Sequence, residues 1–210
     1  MVILLIMFII SFSLIAYFVE AEKLISFDTR IIAFVQGFES KFLTAIMKFL
    51  SFVGSTVAVI FITIGSAFFL YRILHHRREL ILLAITMIGS TLLNMLLKSI
   101  FQRARPEINQ IVFEEGFSFP SGHSMAAFSL YGVLTFLLWR HIKTKMGRGL
   151  LLTVNSLMIL LIGLSRIYLG VHYPSDVIGA YAASGFWLFT VIWYFQWLQD
   201  RKYYETSEAS

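Results

Sequence analysis

Long apolar runs separated by short polar connections are the dominant pattern of this sequence. A helix that crosses a bilayer needs about 20 mostly apolar residues. Runs at or near this length occupy residues 2–19, 49–71, 80–97, 121–139, 150–168 and 177–198, and the fifth is clearly apolar only as far as residue 164. The pattern lacks the short alternating strands that a membrane barrel requires. It therefore predicts an all-α bundle of six transmembrane helices.

A different periodicity fills residues 24–48, between the first two runs. Apolar side chains recur there at steps of three or four residues, at Leu24, Phe27, Ile31, Phe34, Phe38, Phe42, Ile46 and Phe49. Such a stripe is typical of an amphipathic helix in the membrane interface, and Gly37 is a candidate break in it. A helix packed on the bundle fits the same spacing equally well, so both interpretations remain open.

The two ends of the chain carry weaker signals. Val19 and Ala21 make a passable cleavage site for a signal peptidase, but no basic residue precedes the first apolar run, which favours a retained helix. Residues 199–210 form a polar tail for which we expect no regular structure. Residues 1–210 are otherwise predicted to form a single membrane domain.

The composition supports a membrane protein and excludes other classes. The chain is 58% hydrophobic and 14% charged, with a mean hydropathy of +0.79, far from the average of soluble domains. It has no cysteine, which excludes disulfide bonds and thiolate metal sites. The net charge of +5 is not gathered on one soluble face, so no nucleic-acid partner is expected, and no obligatory protein partner is evident.

The distribution of basic residues predicts the orientation, because short cytoplasmic loops are enriched in Lys and Arg. The unmatched cations fall on one side of the predicted bundle, at Arg72, Arg77, Arg78, Arg140, Lys143, Lys145, Arg148, Arg201 and Lys202. We therefore expect a protein of the cell membrane with both termini in the cytoplasm. His75, His76 and His141 then lie in cytoplasmic loops, as solvated residues rather than metal ligands.

Three stretches with reactive residue types fall on the opposite, outer face by simple alternation of the spans. They are KSIFQRARP at 98–106, FPSGHS at 119–124 and SRIYLGVHYPSD at 165–176. Lys98 and Arg105 lie on nearly the same helical face and can hold one anion, although headgroup contact would explain each of them alone. Arg103 adds a third positive charge to this stretch.

The second and third stretches contain the candidate catalytic groups. Ser121 can cap the fourth helix, Gly122 allows close approach of a ligand, and His123 falls in the first turn, where free N–H groups bind anions. Asp176 follows His172 by four residues and can accept from its Nδ1–H, which leaves Nε2 unprotonated and nucleophilic.

Arg166 offers a planar fork of donors that suits phosphate oxygens. An interfacial ion pair between Arg166 and Asp176 is the simpler alternative. The convergence of three such stretches on one face argues against it. A shared site requires the His172 ring and the guanidinium groups to lie within about 10 Å of each other.

Together these residues resemble the three signature motifs of the type 2 phosphatidic acid phosphatase (PAP2) superfamily. Six residues separate Lys98 from Arg105, Pro120-Ser121-Gly122-His123 forms the second motif, and five and three residues separate Arg166, His172 and Asp176. Each motif is weak alone, but the three together are specific. The resemblance covers residues 80–198.

The resemblance implies a phosphatase of membrane lipids that needs no cofactor and no metal. It implies that His172 attacks phosphorus to form a phosphohistidine, that Asp176 orients His172, and that His123 serves as acid and then base. The implied phosphate-binding residues are Lys98, Arg105, Ser121, Gly122 and Arg166.

The physiological lipid is left open by these residues. Phosphatidylglycerophosphate, undecaprenyl pyrophosphate and phosphatidic acid all fit, and a lipid phosphotransferase or, less well, a membrane carrier are the alternatives. Glu114 and Glu115 could control access to the site or merely be solvated. Asn94 and Asn155 are interpreted as hydrogen-bonding residues between helices.

Overall fold

The computed structural model describes residues 1–72, 77–107 and 109–208, and within these ranges the regular structure is entirely helical. The helices are α1 (Val2–Glu20), α2 (Ile25–Gln36), α3 (Lys41–Val53), α4 (Thr56–Arg72), α5 (Arg77–Phe101), α6 (Gly122–Trp139), α7 (Lys145–Tyr168) and α8 (Pro174–Glu208). Helices α1, α5, α6, α7 and α8 are long and apolar enough to cross a membrane, and the pair α3–α4 makes a sixth candidate span. The predicted all-α bundle is confirmed, and the protein is a multi-pass membrane protein.

The second predicted span, residues 49–71, is wrong as a single helix. The chain breaks after Val53, and α3 and α4 meet at an angle of 56°. The break falls at Gly54 and Ser55, a residue pair that often kinks helices. A Cβ at Gly54 would lie 2.5 Å from Ile162 Cγ2. The missing side chain therefore lets this bend pack closely against α7.

Helix α2 is packed on the bundle, and a position in the membrane interface remains a prediction for its exposed face. It ends at Gly37, as the sequence predicted, and its stripe residues Phe27 and Phe34 are exposed on the outside of the bundle. The opposite face is packed, because Ile32 is fully buried against Ile167 and Val177. Helix α2 is thus anchored on α7 and α8 and leaves an aromatic face exposed.

The main apolar core lies between α4, α5, α6 and α8. This cluster includes Leu70 of α4, Leu83 of α5, Leu130 of α6 and Leu188 of α8. Large apolar side chains also cover the outside of α1, α4, α5 and α7, where they face the hydrocarbon of the bilayer. Helix α1 packs along α8.

The bundle brings four helix ends together on one side: the carboxyl ends of α5 and α7 and the amino ends of α6 and α8. The connection between α5 and α6 is held against them, since Ile111 N–H donates to the Leu169 carbonyl at 3.0 Å and Ser118 N–H donates to that of Arg103 at 2.8 Å. This arrangement determines where the three reactive stretches meet.

Among the other helices, the largest differences from the predicted boundaries are at the start of α7 and the end of α8. Helix α7 begins at Lys145, five residues before the predicted start at 150. Helix α8 continues through Glu208, so the tail expected to be irregular is helical as far as that residue, and residues 209 and 210 lie outside the described part of the chain. His75 and His76 also fall outside the described residues.

Candidate active site

His172 is the centre of the site, in the short connection between α7 and α8. Its side chain is 1% exposed. Nδ1 lies 3.4 Å from Asp176 Oδ2, and Nε2 lies 3.3 Å from Arg105 Nη1. A guanidinium can only donate, so Nε2 must accept and Nδ1 must carry the proton. The contacts with Arg105 and Asp176 therefore fix the tautomer in which Nε2 is unprotonated and carries the lone pair.

The Asp176 carboxylate is fully buried and accepts from three directions. Its Oδ2 also accepts from Tyr173 N–H at 2.9 Å, and its Oδ1 accepts from Arg103 Nη1 at 2.6 Å. Arg103 continues to Asp28 on α2, with Nη2 2.9 Å from Asp28 Oδ2. A buried ionic network therefore connects the His172–Asp176 pair to Asp28 on α2, which lies 147 residues before Ser175 in the sequence.

Glu114 joins the two other arginines of the site. Its Oε2 lies 2.9 Å from Arg105 Nη1, and its Oε1 accepts from Arg166 Nη2. Arg166 is 1% exposed and also donates to Ser51 on α3, while its Nε has no hydrogen-bond partner among the described residues. A carboxylate thus bridges two guanidinium groups that the sequence assigned to an anionic ligand.

Lys98 and Arg105 are aimed inward by the connection between α5 and α6. Lys98 Nζ donates to the Phe117 carbonyl. Arg105 donates to the carbonyl of Val171 at 3.0 Å through Nη1, of Gly116 at 3.0 Å through Nε, and of Glu115 at 3.1 Å through Nη2. These carbonyls hold the arginine beside His172 because each fixes a different N–H of the guanidinium.

The amino end of α6 completes the site. Ser121 is the N-cap, and its hydroxyl accepts from Ser124 N–H at 3.4 Å and from Ser124 Oγ at 2.9 Å. A Cβ on Gly122 would lie 3.1 Å from Asn94 Oδ1, so a glycine keeps this first turn open. Asn94 in turn donates to the Pro120 carbonyl at 3.1 Å.

A cavity of about 510 Å³ connects these groups to the side of the bundle. Its polar end is lined by Lys98, Arg105, Glu114, Gly122, His123 and His172. Its other walls come from α4 and α5, where Ile60, Ile64, Ile88 and Met95 line the cavity and are also exposed on the outer surface. The cavity therefore runs from a charged pocket to the lipid-facing surface between α4 and α5.

The electrostatics of the pocket keep His172 neutral. Burial and the nearby positive charges of Arg166, Arg105 and Lys98 place the pKa of His172 well below its usual value. Burial alone would raise the pKa of Glu114, but the positive charges around it, that of Arg166 foremost, lower this pKa to about 2. At neutral pH the pocket contains a neutral imidazole and an ionised Glu114.

The three predicted stretches meet as expected, because Arg105 Nη1 and His172 Nε2 are in contact. The main cavity is lined by the predicted residues Lys98, Arg105, Gly122, His123 and His172. An adjoining cavity of about 250 Å³ is lined by Arg166 together with Glu114 and His123. Asp176 lies behind His172 and pairs with Arg103, whereas Arg166 pairs with Glu114. The alternative of an ion pair between Arg166 and Asp176 is therefore wrong. Ser121 is buried in the helix cap.

Sequence reasoning missed several members of the site. Asp28, Ser51 and Ser175 were not selected, because a single aspartate or serine gives no local signal of its partners. Glu114 was left between two interpretations, and its contacts with Arg105 and Arg166 place it inside the pocket. Asn155 does join two helices, with Nδ2 2.7 Å from Thr135 Oγ1. Within the described part of the chain, no group of three or more His, Cys, Asp or Glu side chains is arranged to hold a metal ion.

The sequence matches one known family and two curated proteins. Residues 79–200 match the model of the PAP2 superfamily. Over 130 residues the chain is 33% identical to phosphatidylglycerophosphatase B of Bacillus subtilis, covering 61% of this chain and 63% of that protein. It is 27% identical over 138 residues to a putative undecaprenyl-diphosphatase of Escherichia coli, covering 63% and 65%. The chain thus aligns with slightly less than two thirds of the length of these relatives.

Two solved structures share the fold over most of the chain. A transmembrane PAP2 type phosphatidylglycerolphosphate phosphatase from Bacillus subtilis superposes with a TM-score of 0.83 at 26% identity, covering 91% of this chain and 96% of that one. LpxE of Aquifex aeolicus superposes with a TM-score of 0.65 at 23% identity, covering 79% and 94%. The second likeness concerns the fold alone.

Proposed function

The chain belongs to the PAP2 superfamily, and we propose that it is a membrane phosphatase that hydrolyses the phosphate or pyrophosphate of a lipid. One observation carries this proposal: the lone pair of a neutral, buried imidazole faces an arginine at 3.3 Å in a cavity that opens between apolar residues of α4 and α5. A nucleophile and cationic groups are thus combined with space for a hydrocarbon tail.

His172 is the proposed nucleophile. Its Nε2 lone pair attacks phosphorus, the bond to the leaving oxygen breaks, and a phosphohistidine forms. Asp176 supports the step, because its Oδ2 lies beside Nδ1–H, where it stabilises the positive charge that develops on the ring. Water then attacks the phosphorus of the phosphohistidine, the P–N bond breaks, and phosphate and the free imidazole are released.

His123 is the proposed acid and base. It lies in the first turn of α6 and lines the same cavity as His172. It donates a proton to the leaving oxygen in the first step and takes one from water in the second. These roles require His123 to be protonated when substrate is bound, and the two negative charges of a phosphate monoester favour that state.

The proposed phosphate-binding groups are those that the motifs indicate. Lys98, Arg105 and Arg166 supply positive charge, and the partnerless Nε of Arg166 supports its role as a donor to phosphate oxygens. Gly122 supplies a backbone N–H, and the Ser121 hydroxyl can donate its own proton while it accepts from Ser124. Because three cations can balance the phosphate charge, we expect activity to persist in the presence of a chelator.

The substrate class follows from the cavity between α4 and α5. A lipid phosphate can place its headgroup at the charged end while its chains stay among residues that face the bilayer. Phosphatidylglycerophosphate, undecaprenyl pyrophosphate and phosphatidic acid are the proposed candidates, and the first two correspond to the names of the two curated relatives.

The test is phosphate release by the purified protein from a panel of these three lipids, without added alcohol. We expect hydrolysis by the wild type, no turnover with His172→Gln, and a trapped phosphoenzyme with His123→Ala when the substrate has a good leaving group. Wild-type turnover by His172→Gln would overturn the mechanism. Phosphate transfer that depends on an added alcohol would favour the phosphotransferase alternative.

We also propose that the site faces the outside of the cell membrane and that both termini are cytoplasmic. Support comes from the basic residues Arg140, Lys143 and Lys145, which lie at the end of the bundle opposite the site. The chain has no cysteine, so single-cysteine variants are easily prepared. Glu107→Cys should react with an impermeant maleimide on intact cells and Lys143→Cys should not. The reverse labelling would contradict this orientation.

A further inference from the structure

Asp28 is a fully buried carboxylate on α2, a helix that packs against α7 and α8. It lies outside residues 79–200, which match the family model. Its Oδ1 accepts from Ser175 N–H at 2.9 Å, and its Oδ2 accepts from Ser175 Oγ at 2.6 Å and from Arg103 Nη2 at 2.9 Å. Two of these donors belong to the first turn of α8, which also carries Asp176.

Arg103 connects this carboxylate to Asp176. Its Nη1 contacts Asp176 Oδ1 at 2.6 Å and Ser175 Oγ at 2.8 Å, while its Nη2 contacts Asp28. The guanidinium also stacks over the Tyr173 ring, with Cζ 4.0 Å from the ring centroid. Held by two carboxylates and an aromatic face, the guanidinium has little rotational freedom.

The geometry determines which oxygen of Asp176 is available to His172. Because Arg103 takes Oδ1, the other oxygen, Oδ2, points to His172 Nδ1 and to Tyr173 N–H. A buried carboxylate without a paired cation favours its protonated form, which would weaken its acceptance from the imidazole. Loss of Asp28 would leave Arg103 with one ionic anchor in place of two.

We infer that Asp28 and Arg103 are positioning residues for the nucleophile, acting through Asp176 to hold His172 in the Nδ1–H tautomer with Nε2 directed into the cavity. This inference rests on the proposed function, in which His172 attacks phosphorus. It assigns a mechanistic role to α2, which anchors the network from outside the family-matched region. Neither Asp28 nor Arg103 lines the cavity, so both act through other residues.

The first test compares Asp28→Asn and Arg103→Lys with wild type in kinetics on a lipid phosphate. We expect kcat to fall by about 10- to 100-fold with Asp28→Asn, as for other residues that orient a reactive imidazole from behind. KM and the inhibition constant of inorganic phosphate should change by less than about twofold, because Lys98, Arg105 and Arg166 remain. Arg103→Lys keeps the positive charge but loses the planar fork of donors, so its kcat should lie between those of wild type and Asp28→Asn.

Arg30→Gln is the matched control, since Arg30 lies on the same helix and is exposed. It should leave kcat, KM and phosphate inhibition unchanged. An unchanged kcat in Asp28→Asn would overturn the inference. An equal loss of kcat and of phosphate binding would do the same, because it would indicate collapse of the whole pocket.

A second measurement is independent of turnover. Histidine-selective ¹⁵N NMR, with the His172 signal assigned through His172→Gln, should show an Nδ1–H tautomer in wild type and a mixture in Asp28→Asn. An unaltered tautomer in that variant would overturn the inference even if no lipid proved to be a substrate. Ser175→Ala removes only the hydroxyl that Arg103 and Asp28 share, and it provides the same comparison if Asp28→Asn does not fold.

Discussion

The carboxylate of Glu114 lies between two guanidinium groups that the proposed reaction assigns to phosphate. It contacts Arg105 and Arg166 together, so a phosphate that binds to both arginines must displace it. Removing the charge should therefore favour an incoming anion. For Glu114→Gln we expect the inhibition constant of inorganic phosphate to fall by about two- to fivefold, the range of one partly exposed ion pair.

Glu115→Gln is the control for this prediction, since Glu115 is the exposed neighbour and contacts Arg105 only through its backbone carbonyl. Its phosphate inhibition should match that of wild type. Weaker phosphate binding in Glu114→Gln would contradict the competition and would indicate that Glu114 is needed to hold the arginines in place.

The low pKa of His172 gives a second prediction at the residue scale. Burial and the neighbouring cations lower this pKa below about 6.5, the value of an unperturbed imidazole. The unfolded chain therefore binds the proton more readily, and this residue lowers the stability of the fold as the pH drops below about 6.5. Between pH 6.5 and 8 we expect no titration of the ¹⁵N signal of His172 in wild-type protein, whereas a midpoint at or above 6.5 would contradict the prediction.

Residue types and spacing were sufficient to predict the principal chemical groups of the site. His172 stands two residues before the first residue of α8, and Asp176 lies in the first turn of that helix. This short separation along the chain explains why the pair could be inferred before any coordinates. Asp28 offered no such signal, because its partners are Arg103 and the backbone of Ser175, far away in sequence. Only the packing of α2 against α8 reveals it.

At the scale of elements, helix contacts depend on small residues. A Cβ at Gly89 on α5 would lie 1.9 Å from Trp187 Cζ2 on α8, and the Trp187 indole is fixed by its hydrogen bond to the Thr86 carbonyl at 3.1 Å. Gly89→Ala should therefore destabilise the fold by about 1–3 kcal/mol, the usual cost of overpacking. Denaturation of the purified protein in detergent measures this.

Gly65→Ala provides the matched comparison on α4. No atom lies within 4 Å of a Cβ added at Gly65, and alanine is the better helix former. Its stability should equal or exceed that of wild type. Equal midpoints for the two alanine variants would show that α5 and α8 can separate without cost.

The helices themselves were predictable, but their breaks and their packed faces were not. Hydropathy treats residues 49–71 as one apolar run, because neither Gly54 nor Ser55 is polar enough to interrupt it. The bend is decided by the close contact of Gly54 with Ile162, which lies 108 positions further along the chain. Similarly, the aromatic stripe of α2 lies on its exposed face, whereas its buried face is centred on Asp28 and Ile32.

At the scale of the whole molecule, the charged pocket lies at one end of the cavity of about 510 Å³, which opens as a groove between α4 and α5. Alternation of the spans predicted that the motifs would share one face, but it contained no information about this groove. The groove depends on the distance between two helices, which tertiary packing sets. For the proposed lipid substrates, it provides a path by which a headgroup can reach buried cations while the chains remain in hydrocarbon.

Filling the groove should therefore separate substrates by chain length. Thr63 lines the cavity on α4, and its hydroxyl has no partner among the described residues, so Thr63→Trp adds bulk without removing a hydrogen bond known there. We expect kcat/KM for a long-chain lipid phosphate to fall about tenfold, while that for a water-soluble short-chain analogue stays within about twofold, a difference of roughly 1.4 kcal/mol in transition-state binding. Ile81→Trp, on the exposed face of α5 and outside the cavity, should affect neither substrate. Equal losses on both substrates would mean that the groove supports the pocket but does not hold the chains.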